Sequence, residues 1–314
     1  MDKKLTVVVG TFNQNREKLK STIESFLAQD YTAFNIIVVD DNHPYEIDKI
    51  NDVSDYINSL KDERIIYIKN EVNIGVPDVF RKWVQMVNTS YFMIYGEGDM
   101  LLEGALNKMV DFLDTHSNIP AVHGLEINGN GEKGPPLFEK TGLIDSDVYL
   151  NSKFLGGKYG WSQASAMYRT EFFRIKDVQI VHDWYWDFIF HCSVLLFSNK
   201  MGYLNEFLAA RGTDEIDFER ALKENYFRIY TERIYLGLKF IDDHEFYMIN
   251  KGLPVEKYKF QLAKRLLKTS FREKVPAKVR YAIRKSLPIL AGAITGYIAE
   301  RMLQFPKLFI KNKY

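Results

Sequence analysis

LTVVVGTFNQNREKLKSTIESFLAQDYTAFNIIVVDDN, residues 5–42, holds the pattern that decides the fold. A short apolar run (5–9) is followed by Leu19, Ile23, Phe26 and Leu27 at helical spacing, then by a second apolar run, NIIVV (35–39). Strands that are apolar along their whole length are covered on both faces, which is the habit of parallel sheets. The alternation continues. Ile47, Ile50, Val53, Ile57 and Leu60 predict a helix, IIYI (65–68) a strand, and Val79, Phe80, Trp83, Val84 and Val87 a helix. YFMIY (91–95) is a fourth strand, and Leu106, Met109, Val110 and Leu113 mark the next helix. The first 115 residues therefore predict an α/β fold, a mostly parallel sheet with helices on both faces and right-handed crossovers.

Each predicted strand ends in residues able to bind a ligand. Gly10, Thr11, Phe12 and Asn13 follow the first, Asp40, Asp41 and Asn42 the second, Asn70 the third, and Glu97, Gly98 and Asp99 the fourth. Open α/β sheets bind ligands at the carboxyl ends of their strands, so these clusters predict one site. An Asp after the second strand can accept from a base or a ribose hydroxyl. The alternative for Asp40 and Asp41 is a pair of helix caps or solvated turn residues. With Gly10 alone after the first strand, there is no G-x-G-x-x-G fingerprint, which disfavours a nicotinamide enzyme.

In IYGEGDML (94–101) an apolar strand runs into two acids separated by a glycine. Read as an extended segment, it sends Glu97 and Asp99 to the same side, and Gly98 lets the backbone approach a ligand closely. Such a pair suits Mg²⁺ or Mn²⁺, which take oxygen ligands, and a bound ion would neutralise a departing diphosphate. A solvated turn is the alternative. In HDWYWDF (182–188) Asp183 lies among aromatic residues, a setting that can tune a carboxylate as a general base. Trp184 and its neighbours offer flat faces for sugar rings, or else belong to the core. His182 and Asp187 are weaker candidates for the base. Arg211, in AARGTDE, could close on phosphates from a mobile loop, or else is an exposed arginine.

The totals, 46% apolar and 26% charged residues in 314, suit one large or two medium globular domains. Cys192 is the single cysteine, so neither an internal disulfide nor a cysteine zinc site is expected, and a reducing compartment fits. The first apolar stretch is too short for a signal peptide, and SLPILAGAITGYIA (286–299) is too short to span a bilayer. Charge is divided unevenly: residues 251–314 hold 16 Lys/Arg against 3 Asp/Glu, a net of +13 in a chain whose total is +1. Residues 125–160, with NGNGEKGPP, read as a mobile loop over the site, and helical signals dominate from about 218 onward.

These residues together resemble family 2 glycosyltransferases of the GT-A fold, over roughly residues 4–215. The opening resembles the family's strand, T-aromatic-N turn, helix ending in LAQ-x-Y, and I-I-V-V-D-D strand. NEVNIG (70–75) is similar to its N-x-G turn, which brings in Asn73. YGEGDMLLEGALNKMV is similar to its D-x-D segment, with Glu97 in place of the first Asp. GWSQASAMYRTEFF resembles the acceptor-side strand and brings in Trp161. HDWYWDF is similar to the segment carrying the catalytic base. The family usually continues to A-R-N where this chain has VFRKW, so Arg81 is a loose match. The resemblance implies a GT-A domain over 1–215, with a nucleotide-sugar half (1–100) and an acceptor half (101–215), and a helical extension over 216–314 that is strongly basic from 251. It implies an inverting transferase of the bacterial cell-surface polysaccharide type. Asp183 would be the base and Asp99 with Glu97 the ligands of Mn²⁺ or Mg²⁺. Thr11, Phe12, Asn13, Asp40, Asp41, Asn73, Gly98, Trp161, Trp184 and Arg211 would line the substrates. The donor would be a nucleotide-diphosphate sugar, a UDP-sugar foremost, and the acceptor a glycan or lipid-linked hydroxyl.

The tail interleaves basic residues such as Lys264, Arg265, Lys268 and Arg272 with Leu266, Leu267 and Phe271. That pattern suits an interfacial helix on an anionic membrane, placing a cytoplasmic protein on the inner face of the cell membrane; the alternative is a basic subdomain packed on the acidic body. Nucleic acid is a poorer partner, because no recognition module is visible. Two other classes share part of the pattern. One is a non-catalytic GT-A-like scaffold, suggested by Glu97. The other is a nucleotidyltransferase, which would want a richer basic loop than TFNQNREK.

Overall fold

The structure, a computed structural model, describes residues 3–11, 15–42, 53–156, 161–175, 186–212, 234, 236–270 and 291–292. Phe12, Asn13, Ile47, Ile50, His182, Asp183, Trp184 and most of the basic tail lie outside the described residues. The chain divides into two units, residues 1–146 with 160–218, and residues 147–159 with 219–314.

The first unit is built on one sheet. β1 (Leu5–Thr11) pairs in parallel with β2 (Phe34–Asp40) and β4 (Tyr91–Gly96), and β2 pairs in parallel with β3 (Ile65–Lys69). β8 (Ala166–Arg169) is antiparallel to both β4 and β6 (Ala121–Ile127). β6 runs parallel to β9 (Lys200–Ala210), and β9 carries β5 (Met100–Leu101) and β7 (Gly142–Asp145) as antiparallel neighbours. The order is β3-β2-β1-β4-β8-β6-β9-β5. Because two antiparallel steps separate β4 from β6, β6 and β9 point the same way as β1, β2 and β4. The carboxyl ends of all five strands therefore share one edge.

Helices cover both faces. Leu5, Val7 and Val9 alternate into a core with α1 (Arg16–Leu27), α2 (Val53–Leu60) and α4 (Ala105–Thr115). On the other face, Phe92 stacks on Tyr168 and meets Phe173 of α6 (Thr170–Ile175) edge-on. Trp186, which opens α7 (Trp186–Leu196), packs 5.1 Å from Phe80 of α3 (Val76–Met86), so this tryptophan belongs to the core. Each such large apolar side chain contributes about 1.5–3 kcal/mol by leaving water.

The expected loop is shorter than 125–160: residues 128–141, which hold NGNGEKGPP, form neither helix nor strand, whereas 125–127 finish β6, 142–145 form β7 and 146–155 form α5 (Ser146–Leu155). β7 has alternating half-buried and exposed residues, as a strand on the sheet's margin does, and so lacks the unbroken apolar run that marked the inner strands.

In the second unit, residues 147–155 of α5 bury Tyr149, Leu150 and Phe154. Phe154 meets Tyr258 of α9 (Val255–Ser270) at 5.0 Å, and the Tyr258 hydroxyl donates to Asn151 at 3.0 Å. Lys259 of α9 pairs with Asp242 and with Glu245 of α8 (Glu245–Asn250). No helix among the described residues is long and apolar enough to cross a membrane.

Candidate active site

The site is assembled at the shared edge of the first unit's sheet. The register sets Thr11 against Asp40, Asp40 against Lys69, and Gly10 against Gly96, so the ends of β1 to β4 are level. Thr11 donates its hydroxyl to the Glu97 carboxylate, linking the end of β1 to the turn after β4.

Neither Asp40 nor Asp41 is solvated; they are 1% and 3% exposed. Asp40 accepts from the Tyr67 hydroxyl at 2.7 Å and from the Asn42 amide at 3.0 Å, with Lys69 3.8 Å away. Asp41 accepts from Asn70 Nδ2 (2.8 Å), Asn73 Nδ2 (2.9 Å), and the amides of Ile74 (3.0 Å) and Gly75 (2.7 Å). Four donors fill what a carboxylate can accept. Asp41 thus organises the 70–75 turn, and the exposed Asn73 spends its Nδ2 on Asp41. Gly75, at φ +83°, ends that turn in a conformation that favours glycine.

The acid–glycine–acid stretch is a turn and not the extended segment expected from sequence. Gly98 has φ 98°, a left-handed value open to glycine. Its amide donates to Thr22 Oγ1 at 2.9 Å. α1 and the residues just after it hold the whole stretch: Ser25 Oγ accepts from the Leu101 amide (3.0 Å), and Gln29 Nε2 donates to the Leu102 carbonyl (3.0 Å). Thr22 and Ser25 stand three residues apart on one face of α1, and Gln29 follows two residues past its end. Asn15 caps the start of this helix by accepting from the Lys18 amide.

From the other side, the chain leaving β9 closes on the same turn. The Gly212 amide donates to Asp99 Oδ1 at 3.1 Å, and a Cβ on Gly212 would stand 3.0 Å from the Gly98 backbone. Arg211 bonds through its amide to the Ile127 carbonyl (2.9 Å), and its guanidinium lies 3.7 Å from Glu126. Sequence reading missed Glu126. Its signal was present, since AVHGLE is another apolar strand that ends in an acid, but it fell within the segment read as a loop. Tyr95 sits beneath this group and bonds to the Ala164 carbonyl. Burial pushes its hydroxyl pKa well up, and the charges of Asp99 and Glu126 push it further.

Trp161 donates to the Tyr168 hydroxyl at 3.1 Å. Its ring stacks on His123 at 5.3 Å and lies 4.2 Å from His191, so imidazoles already engage it. Tyr168 also donates to Gln163 (2.6 Å), whose Nε2 is 3.1 Å from His191 Nε2. Burial pushes the Tyr168 hydroxyl pKa strongly up. Asp187 lies in the first turn of α7 and accepts from the Phe188 amide at 2.8 Å. Arg81 pairs with Asp78 on α3.

A divalent cation fits the donor set of the turn. Glu97 and Asp99 are hard oxygen ligands, both half-buried on a single turn at the edge. Among the described residues there is no cluster of three or more His, Cys, Asp or Glu side chains suited to a metal, so a cation held here would take its other ligands from substrate oxygens and water.

Several known proteins are similar to this chain in sequence or in fold. A glycosyltransferase of Methanocaldococcus jannaschii, named as uncharacterized, is 33% identical over 135 residues, covering 41% of this chain and 46% of that protein. The Escherichia coli UDP-Glc:alpha-D-GlcNAc-diphosphoundecaprenol beta-1,3-glucosyltransferase WfaP is 25% identical over 111 residues, covering 35% and 41%. The chain thus spans less than half the length of these two relatives. Crystal structures of S. aureus TarS 1-349 share the fold at 17% identity. The UDP-GlcNAc complex has a TM-score of 0.64 over 92% of this chain and 81% of that one. The UDP complex has 0.63 over 93% and 81%. The sequence profile of the family described as "Glycosyl transferase family 2" matches residues 6–195, more than half of the chain, and the protein belongs to that family.

Proposed function

We propose that the protein transfers a sugar from a nucleotide-diphosphate donor to an acceptor hydroxyl, with inversion at the anomeric carbon. One observation carries this reading. A single sheet edge gathers the buried Asp40–Asp41 pair, the Glu97–Asp99 turn, Glu126 and Arg211, residues spread over more than 170 positions of the sequence. Such an edge can hold a nucleotide at the β2 end and its diphosphate at the turn. TarS has been solved with UDP and with UDP-GlcNAc, which supports a UDP-sugar as donor. The name of the Escherichia coli relative supports a lipid-diphosphate-linked glycan as acceptor, in cell-surface polysaccharide assembly.

Asp183 is assigned the base by its place in HDWYWDF: it takes the proton of the acceptor hydroxyl as that oxygen attacks the anomeric carbon. The bond to the donor's diphosphate breaks on the opposite face, which inverts the centre. Glu97 and Asp99 would hold Mg²⁺ or Mn²⁺, which when bound supplies positive charge to the leaving diphosphate. The basic tail would place the enzyme on the inner face of an anionic membrane, where a lipid-linked acceptor lies.

The test is a thermal-shift and calorimetric screen of UDP-, GDP- and dTDP-sugars with Mn²⁺, followed by transfer assays with and without excess chelator. We expect one nucleotide to bind and chelator to abolish transfer. Asp183→Asn should keep donor binding and lose transfer by about 10²–10⁴-fold, the usual weight of a general base. Donor binding without turnover under every condition would leave a scaffold and remove the catalytic reading.

A further inference from the structure

The geometry points to Glu126 as a positioning residue that holds the Arg211 guanidinium beside the 97–99 turn, where it meets the donor's diphosphate. This rests on the donor reading above.

Three observations lead there. First, the strand register brings the two residues together. Glu126 and Ile127 of β6 stand opposite Ala209 and Ala210 of β9, so the residue after β9 emerges beside Glu126. The Arg211 amide is fixed on Ile127, and the next residue, Gly212, is fixed on Asp99. Arg211 is therefore the cation whose backbone is tied on one side to Glu126's strand and on the other to the acidic turn.

Second, Glu126 is itself anchored. Its Oε1 accepts from the Ser165 hydroxyl at 2.9 Å, while Oε2 faces Arg211 Nε at 3.7 Å. Ser165 closes the 3₁₀ turn Gln163–Ser165, and its side chain is buried. The carboxylate is thus held from the sheet side before it reaches the arginine.

Third, the exposures are unequal. The Glu126 side chain is 14% exposed and that of Arg211 44%. With Arg211 this open and 3.7 Å away, the ion pair itself adds little to stability, about 0–1 kcal/mol, so the structural part of Glu126 is its bond to Ser165 and the charge facing Arg211 is left to be accounted for. Anchoring a long, flexible arginine does have a use. Fixing its rotamer in advance removes part of the ordering cost when an anion binds, and a guanidinium held at Nε still presents other N–H donors to a phosphate.

The experiment compares UDP, GDP and dTDP with their nucleosides uridine, guanosine and thymidine, using calorimetry and ligand-observed NMR on the full chain. Glu126→Gln keeps an acceptor for Ser165 and removes the charge that orients Arg211. For the nucleotide that binds, we expect about 3–10-fold weaker binding in Glu126→Gln, with the matching nucleoside unchanged. In Arg211→Ala the loss should be larger. The double variant should match Arg211→Ala within about twofold, as expected when one residue acts only through the other. Glu126→Asp, which shortens the reach by one methylene, should give the same selective loss and serves if Glu126→Gln folds poorly.

Nucleotide binding equal to wild type in both Glu126 variants would overturn the role. So would parallel loss of nucleoside binding, which reports damage to the framework, or losses that multiply in the double variant. If the wild-type chain binds none of the three nucleotides, the donor reading falls and this role falls with it. If it binds one and the variants fail these expectations, the donor reading stands and the role alone is lost.

Discussion

Asp41 shows how one side chain can be committed to the protein before any ligand arrives. It is buried, and its four donors all come from residues 70–75. An Asn at this position keeps the shape but turns one acceptor into a donor facing other donors. Buried donors left without partners cost about 1–3 kcal/mol. Asp41→Asn is therefore expected to lower stability by roughly 2 kcal/mol, read as a fall in the denaturation midpoint without a change in slope. It should also weaken nucleotide binding, because the 70–75 turn loses its brace; unchanged affinity would mean that this turn does not touch the nucleotide. Gly212 shows the same economy of space, since its backbone lies against Gly98 where a methyl group would crowd the turn.

The elements set the site through two devices that no single residue displays. One is the polar seam of α1 and its exit, where Thr22, Ser25 and then Gln29 fasten residues 98–102. The other is the irregular pairing of β6 with β9, where the register shifts on both sides of Leu125 and so decides which residue of β9 stands beside Glu126. Gly124 permits that pairing. A Cβ there would lie 2.5 Å from the Leu208 side chain and 2.8 Å from the Glu206 carbonyl, contacts that cannot be kept. Gly124→Ala is expected to destabilise the first unit by about 1–3 kcal/mol, the range for overpacking. It should lower transfer more than stability alone explains, because β9 carries Arg211 and Gly212. A thermal-melt series run beside kinetics separates the two effects.

For the whole molecule, acid sensitivity follows from two carboxylates of the first unit. The Arg64 guanidinium, bonded to both oxygens of Asp62, holds that carboxyl below its usual range. Burial pushes Asp114 up, but its bonds to Lys4 and the Tyr91 hydroxyl outweigh this and leave it lowered. Burial in turn pushes the Tyr91 hydroxyl up to about 12. A carboxyl whose folded pKa is depressed stabilises the fold above its unfolded value of about 3.9, and that stabilisation is lost as pH falls through the folded value. Stability should therefore drop progressively below about pH 5. The double variant Asp62→Asn with Asp114→Asn should be less stable than wild type at pH 7 and lose less between pH 5 and pH 3. Parallel curves would show that other groups govern acid unfolding.

Sequence alone determined the layered order of strands and helices through residue 115, because an unbroken apolar run and period-3.6 burial are local properties that each segment carries in its own apolar residues. It also placed Thr11, Asp40, Asp41, Glu97 and Asp99 at strand ends, since an apolar run that stops at an acid marks where the sheet meets water. Only the tertiary structure decided what those acids hold. Asp41's partners lie about 30 residues away, Gly98's partner Thr22 lies 76 residues away, and Asp99's partner Gly212 lies 113 away. It likewise confined the expected loop to residues 128–141, gave its flanks to the end of β6, a marginal strand and a helix, and set Glu126 at the edge. Hydrogen bonds between such distant segments depend on strand order and register. Those are fixed by the packing of the whole sheet and leave no periodic trace in any one stretch of sequence.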